Sequence, residues 1–384
     1  MTLEATPATA AAATDKIRVM LVDDSAVVRG LVTRILEEDP AIAVVASVGN
    51  GQMALSALER QEIDVIVLDI EMPVMDGMTA LPLLLKADPG IRIIMQSTLT
   101  LKGADVSLRA LQIGAADYIP KPTATRELAG GMDFKKELLD KVKALGHARR
   151  RDPNRKARPG VPSSLARPSA AAPRPSALSP TGPIKLRSHT PEPPDIIAIG
   201  SSTGGPQALF NLLTTMRAGT VKQPILITQH MPATFTTILA EHITRVSGWD
   251  AKEAQDGEVI KSGRVYVAPG DFHMLVESRG ADRILKLTKD PPENFCRPAV
   301  DPMLRSISAA YGKRVLVAIL TGMGSDGAKG GAVVVEAGGT VVAQDEATSV
   351  VWGMPGAAAN AGICSAVLPL GEIAPWMIKL ATRR

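Results

Sequence analysis

Two α/β domains, each a doubly wound parallel sheet, joined by a flexible linker, are the fold this 384-residue sequence predicts. Three observations carry the prediction. Short, wholly apolar runs alternate with amphipathic helical stretches in both halves of the chain, as parallel strands covered on both faces by crossover helices require. Side chains capable of chemistry stand just past the carboxyl ends of those runs, where ligands gather in such sheets. Between the halves lies a Pro-, Ser- and Ala-rich stretch with neither a helical nor a strand period.

Composition narrows the class. Hydrophobic residues at 45% and charged residues at 21% describe an ordinary globular protein. No apolar run reaches eighteen residues, so no membrane insertion is expected. Residues 1–16, rich in Ala and Thr with an acidic Glu4, read as a disordered tail rather than a signal peptide. Two cysteines, Cys296 and Cys364, argue against a disulfide scaffold or zinc cage and suit the cytoplasm. The net charge of +4 is unevenly placed: Arg149–Thr190 holds ten Lys/Arg against one Asp, leaving the remainder near −5. The expected division is therefore a first domain over 17–138, a basic linker over 139–192 and a second domain over 193–384. A solvated tether explains the linker better than a nucleic-acid contact, because no aromatics interleave its charges.

In the first domain Ile17–Leu21 is a strand running into Asp23-Asp24-Ser25. Val28, Leu31, Val32, Ile35 and Leu36 then recur at helical spacing. Further strands are expected at Ala41–Ala46, Val65–Leu68 ending at Asp69, Arg92–Met95 ending near Ser97, and Asp117–Ile119 running into Lys121. One acidic pair at a strand end means little. A pair, a single Asp, a hydroxyl and a Lys at four strand ends is a coherent set. Three converging carboxylates repel one another unless a divalent cation binds them, and oxygen ligands with retained waters suit Mg²⁺. The domain resembles the response-regulator receiver. The resemblance implies that Asp69 accepts a phosphoryl group and that Asp24, Asp69 and the Glu71 carbonyl hold Mg²⁺. It further implies that Asp23, Ser97 and Lys121 support the phosphorylation site and that Tyr118 takes the aromatic switch position.

The second domain opens on the strand Ile196–Gly200, followed by Ser201-Ser202-Thr203-Gly204-Gly205-Pro206. Ser202, with Gly200 and Gly204 on either side, has the G-x-S-x-G spacing of a nucleophile elbow. The same turn equally fits a Gly-rich phosphate cradle. Other strands are expected at Ile225–Thr228, Val265–Ala268, Val315–Leu320 and Thr340–Ala343, with helices at Phe235–Val246, Ala299–Ala310 and Ala328–Ala337 and a hairpin around Met274–Leu287. A nucleophilic serine needs a histidine base oriented by a carboxylate. Of five histidines, His230 stands at the end of a strand beside the first, whereas His242 lies mid-helix and His273 follows a turn. Asp326, in Thr321-Gly-Met-Gly-Ser-Asp-Gly327, lies past a third strand. Taken singly, such a histidine is more often structural and such an aspartate a helix cap. The chain order Ser, His, Asp differs from the Ser, Asp, His order of the α/β-hydrolase fold, which excludes that fold.

The blocks IGSSTGGP, ILITQHMP, VYVAPGDFHM, RPAVDPML, ILTGMGSDGA and VWGMPGAA closely resemble the CheB family of chemotaxis methylesterases, across nearly all of the second domain. The resemblance implies a Ser202–His230–Asp326 hydrolase with Thr203 and Met323 flanking the site, and no cofactor for ester hydrolysis. It implies methyl-accepting chemoreceptors as substrate and the chemotaxis histidine kinase as phosphoryl donor. Backbone N–H groups at Met323 and at the start of the helix after Ser202 are candidate oxyanion donors. Two other classes fit less well. A nucleotide-binding module lacks G-x-G-x-x-G and any Gly-Lys-Ser/Thr. A DNA-binding output calls for a basic recognition helix, and the second domain is a large Gly-rich α/β unit, so no nucleic-acid partner is expected.

Overall fold

The computed structural model describes residues 16–122, 124–152 and 184–383, with side chains from 134 onward in the middle segment. All of the expected tail over 1–16 except Lys16, and most of the expected linker over 139–192, lie outside the described residues.

The first domain runs β1 (Ile17–Val22), α1 (Ala26–Glu37), β2 (Ile42–Val48), α2 (Gly51–Arg60), β3 (Val65–Asp69), α3 (Gly77–Ala87), β4 (Arg92–Ser97), α4 (Leu101–Ile113), β5 (Asp117–Pro120) and α5 (Ala124–Arg151). Its five strands are parallel in the order β2-β1-β3-β4-β5. The strand order reverses between β1 and β3, which opens a crevice beyond their carboxyl ends. β3 is buried at every position because helices cover both faces, hence its unbroken apolar run. Ser25 caps α1, its Oγ accepting the Val28 N–H at 3.3 Å, so Asp23 and Asp24 sit where strand gives way to helix.

One boundary differs from the expectation. The linker was to begin at 139, but α5 continues to Arg151. Leu138, Val142 and Leu145 are buried at helical spacing. Arg149 Nη2 donates to Asp88 Oδ1 at 2.9 Å and Oδ2 at 2.8 Å, and Arg150 Nη2 to Asp64 Oδ2 at 3.0 Å. Arg149 and Arg150, which open the basic stretch Arg149–Thr190, are thus held by acidic partners within the fold.

The second domain runs β6 (Ile196–Ser201), α6 (Gly205–Met216), β7 (Ile225–Gln229), α7 (Ala233–Ser247), β8 (Asp250–Glu253), β9 (Arg264–Val267), β10 (His273–Arg279), β11 (Asp282–Thr288), α8 (Val300–Tyr311), β12 (Val315–Ile319), α9 (Ala328–Glu336), β13 (Thr340–Gln344), α10 (Met354–Asn360), β14 (Ala366–Leu368) and α11 (Leu370–Ala381). Seven parallel strands lie in the order β14-β13-β12-β6-β7-β9-β8, and β10 and β11 form the expected antiparallel hairpin. The structure adds β8 and β14, one at each edge, to the five strands read from sequence. From β6 the chain winds outward through β7 in one direction and through β12 in the other. The β6/β12 boundary is therefore this sheet's switch point. Among the described residues no helix is long and apolar enough to cross a membrane.

Candidate active site

β6 delivers the serines to the switch point. Ser201 is fully buried and donates its hydroxyl to Gln229 Oε1 at 2.6 Å. Ser202 is partly exposed. Its N–H donates to Thr321 O at 3.0 Å, and its carbonyl accepts from Gly205 N at 2.7 Å and Gln229 Nε2 at 2.9 Å. Gly204 has φ 76°, the left-handed region, and a Cβ there would meet the Val350 side chain at 2.6 Å. The turn is tight because its backbone bonds close on themselves, and it leaves Ser202 partly exposed.

β12 delivers the facing loop. A Cβ on Gly322 would lie 2.8 Å from Ser202 Cβ, so the loop passes directly over the serine. Thr321 Oγ1 donates to Thr203 O at 2.9 Å, and Thr321 N–H donates to Gln344 Oε1 at 2.8 Å, tying the loop to β6 and β13. Thr203 is buried and Met323 half-buried beside this contact. Gly205 N–H is already engaged by Ser202 O, which leaves the Met323 N–H as the better of the oxyanion candidates.

β7 ends at Gln229, and His230 follows with its N–H donating to Ser201 O at 3.2 Å. His230 Nε2 donates to Asp326 Oδ2 at 2.8 Å. The carboxylate is held from several sides. Oδ2 also accepts Val300 N at 2.6 Å, and Oδ1 accepts Asn294 Nδ2 at 2.9 Å, Asp301 N at 3.0 Å and Gly327 N at 3.0 Å. Val300 and Asp301 open α8, so Asp326 sits at a helix N-terminus, where negative charge is favoured. Burial opposes ionisation of Asp326, but His230 and the α8 amides outweigh it and hold the carboxyl below its ordinary range. Its neighbour Asp301 is moved the other way, up, by burial and by the Asp326 charge. Burial disfavours the charged form of His230 too, yet the Cys296 sulfur and Asp326 raise its affinity for a proton above an ordinary imidazole's.

With Nε2 committed to Asp326, Nδ1 is the ring nitrogen left to act as base. Among the described residues no hydrogen bond joins it to Ser202 Oγ; Cys296 Sγ lies 3.4 Å from it instead. His273, the competing histidine, is buried with both nitrogens engaged, Nδ1 by Ala299 N at 3.2 Å and Nε2 by Pro291 O at 3.1 Å. Sequence reasoning missed Asn294, Cys296 and Asp301. Asp301 lay in the quoted block RPAVDPML, which was given no role. The other two lie just before it in a loop without periodicity.

The first domain gathers its own group at its switch point. Lys121 Nζ donates to Asp69 Oδ2 at 2.7 Å and lies 3.6 Å from Asp23 Oδ2. Carboxylate oxygens of Asp23, Asp24 and Asp69 fall within 4.8 Å of one another. Asp23 Oδ2 and Asp69 Oδ1 are buried without a hydrogen-bond partner. A divalent cation with oxygen ligands fits such orphaned anionic atoms. Burial, reinforced by the Asp23 charge and opposed by Lys121, pushes the Asp69 carboxyl up to about 6. Glu71 is exposed beside it, Ser97 is buried at the end of β4 with its carbonyl accepting Lys121 N at 2.7 Å, and Tyr118 is buried with its ring 4.9 Å from Lys141 Nζ.

A receiver-type sheet with an acidic acceptor cluster, joined to a parallel α/β domain bearing a histidine–aspartate pair beside a serine-presenting turn, defines a response regulator with a hydrolase as its output domain. Residues 19–132 match the response regulator receiver domain, and residues 197–377 match the CheB methylesterase domain. A protein-glutamate methylesterase/protein-glutamine glutaminase 1 of Paramagnetospirillum magneticum is 76% identical over 97% of this chain and 98% of its own length. A protein-glutamate methylesterase/protein-glutamine glutaminase of Rhodospirillum centenum, from its group 2 operon, is 64% identical over 96% of this chain and 95% of its own. The CheB methylesterase catalytic domain of Thermotoga maritima, a crystal structure, is 41% identical, covers 49% of this chain and 98% of that one, and has a TM-score of 0.47. The chain belongs to the CheB family of protein-glutamate methylesterases/protein-glutamine glutaminases.

Proposed function

We propose that this protein hydrolyses the γ-methyl esters of glutamates on methyl-accepting chemoreceptors, releasing methanol, and deamidates receptor glutamines by the same route. It acts in the cytoplasm under control of phosphorylation at Asp69. The observation that carries the reading is the 2.8 Å His230–Asp326 bond at the switch point where the Ser202 turn is presented. Ser202 Oγ attacks the ester carbonyl as His230 Nδ1 takes its proton. Asp326 holds Nε2–H and so keeps the ring in the tautomer with Nδ1 as acceptor, and it stabilises the imidazolium that forms. The tetrahedral oxyanion is met by backbone N–H groups, that of Met323 first, with Thr203 beside it. Nδ1–H then protonates the departing methoxide, and water, deprotonated by the same nitrogen, attacks the acyl-enzyme to give glutamate and free serine. An amide substrate passes through the same steps with ammonia as leaving group.

In the first domain Asp24, Asp69 and the Glu71 carbonyl are the residues that would hold Mg²⁺, which offsets carboxylate charge against an incoming phosphoryl group. Asp23 and Lys121 flank that position, and Ser97 and Tyr118 respond to it. The chemotaxis histidine kinase supplies the phosphoryl group. Methanol release from membranes carrying methylated receptors, measured with and without an acyl-phosphate donor and Mg²⁺, tests the reading. Release that the donor increases is expected, and no release above a Ser202→Ala control refutes it.

A further inference from the structure

Gln229 stands last in β7, directly before His230 and opposite Ser201 of β6 in the parallel register. Side chains alternate between the two faces along a strand. Thr228 donates its Oγ1 hydroxyl to Met303 Sδ of α8 at 3.1 Å, so Gln229 lies on the other face, at the start of α6. There it is 2% exposed, and both ends of its amide are engaged. Oε1 accepts the Ser201 hydroxyl at 2.6 Å, while Nε2 donates to Ser202 O at 2.9 Å and to His230 O at 3.3 Å. Carbonyl oxygens can only accept, so these two fix which end of the amide faces them, and Ser201 takes the other end.

One buried amide therefore clasps the carbonyl of the serine and the carbonyl of the histidine, which leave neighbouring strands. The backbone tie between those strands at this level, His230 N–H to Ser201 O at 3.2 Å, stops one residue short of Ser202. Room for the amide comes from Gly205. A Cβ there would lie 2.0 Å from Gln229 Oε1. Gly205 is not among the glycines with a left-handed backbone, so space rather than conformation calls for glycine at that place. The block ILITQHMP drew notice for its histidine, and the residue before it was given no role.

We propose that Gln229 is a positioning residue for the ester hydrolysis, clamping the Ser202 turn to the end of β7 so that the serine hydroxyl and the His230 ring keep their spacing. The proposal rests on the methylesterase reading above. Gln229→Met keeps the length of the side chain and drops its polar end. Misplacing reacting groups by about 1 Å costs about 10² in rate, so kcat of the full chain on a small soluble glutamate γ-methyl ester should fall about 10²-fold, with KM within about twofold of wild type. The fall should persist when kcat is expressed per serine labelled at completion by a serine-directed phosphonate. A merely structural role lowers the number of labelled serines and leaves kcat per labelled serine unchanged. Gln229→Glu keeps the shape and an acceptor for Ser201, but it sets a carboxylate oxygen against two carbonyl oxygens and should lose at least as much.

Gly205→Ala reaches the same amide without altering β7. Alone it should lower kcat as Gln229→Ala does. Added to Gln229→Ala it should cost little more, because its methyl enters space the amide has left. This cycle also decides the matter if Gln229→Met fails to fold. Wild-type kcat per labelled serine in Gln229→Met, a change confined to KM, full activity in Gln229→Glu, or losses from Gly205→Ala and Gln229→Ala that multiply would each overturn the proposal. If wild-type protein hydrolyses no glutamate ester, the methylesterase reading fails instead, so the two failures are distinguishable.

Discussion

Asp326→Asn tests the catalytic geometry most directly, because every lone pair of this carboxylate is engaged. Oδ1 faces three N–H donors, from Asn294, Asp301 and Gly327, and Oδ2 faces two, from His230 and Val300. An amide must put its NH₂ in one of these places. The Oδ2 place sets it against fewer donors, and His230 can relieve one conflict by turning Nε2 into an acceptor. That moves the ring proton to Nδ1, the nitrogen that should receive the Ser202 proton. A triad histidine fixed in the wrong tautomer loses about 10⁴ in kcat. The Val300 N–H is left unpaired in a buried place, which costs about 1–3 kcal/mol of stability. The pH profile gives a further sign. Asp326 helps raise the His230 pKa against the effect of burial, so removing the charge lowers it. The base must be neutral to act, and activity is lost as pH falls through that pKa. The acid limb of the residual activity therefore moves to lower pH. Steady-state hydrolysis of a soluble ester across pH, with ¹⁵N NMR of the ring to report the tautomer, provides the assay. A kcat within tenfold of wild type, or an acid limb displaced upward, would refute the assignment.

The adjacent serines separate cleanly. Ser202→Ala should cost about 10⁴ or more in turnover, whereas Ser201→Ala should cost mainly stability, about 1 kcal/mol for its lost bond to Gln229; the reverse pattern in a paired kinetic and thermal-unfolding measurement places the nucleophile one residue earlier. In the first domain, Asp69→Asn should remove stimulation of methanol release by an acyl-phosphate donor, and chelation of Mg²⁺ from wild type should do the same. Stimulation that survives in Asp69→Asn locates the acceptor elsewhere.

Much of the architecture was legible because parallel strands covered on both faces leave unbroken apolar runs. Val65–Leu68 and Val315–Ile319 are buried throughout and stand out at once. The edge strands β8 and β14 did not. Asp250-Ala-Lys-Glu253 is largely half-buried and carries charge, and Ala366–Leu368 is three residues long, so neither has a pattern to read. The linker boundary was misplaced because a run of arginines resembles a solvated tether. Arg149 and Arg150 in that run are pinned by Asp88 and Asp64, which lie far away in sequence. Ser202, His230 and Asp326 could be singled out because each follows a recognisable strand, and the structure brings His230 and Asp326 into contact. Asn294, Cys296 and Asp301 reach the same place from the loop before α8 and from its first turn, and only packing brings them there.

The placement of β6 has a consequence for biosynthesis. One side of β6 pairs with β7, next in the chain, but its other side pairs with β12, where Ile196 meets Val315. A ribosome-bound chain that has released β7 holds serine and histidine, yet one edge of the central strand stays open and the aspartate is still unmade. Long-range parallel pairing of this kind forms slowly. The sheet cannot close until β12 and the residues that follow it have emerged. The first domain, whose strands all lie before residue 121, has every part of its sheet well before then. Synthesis thus completes the regulatory fold before there is an enzyme for it to regulate.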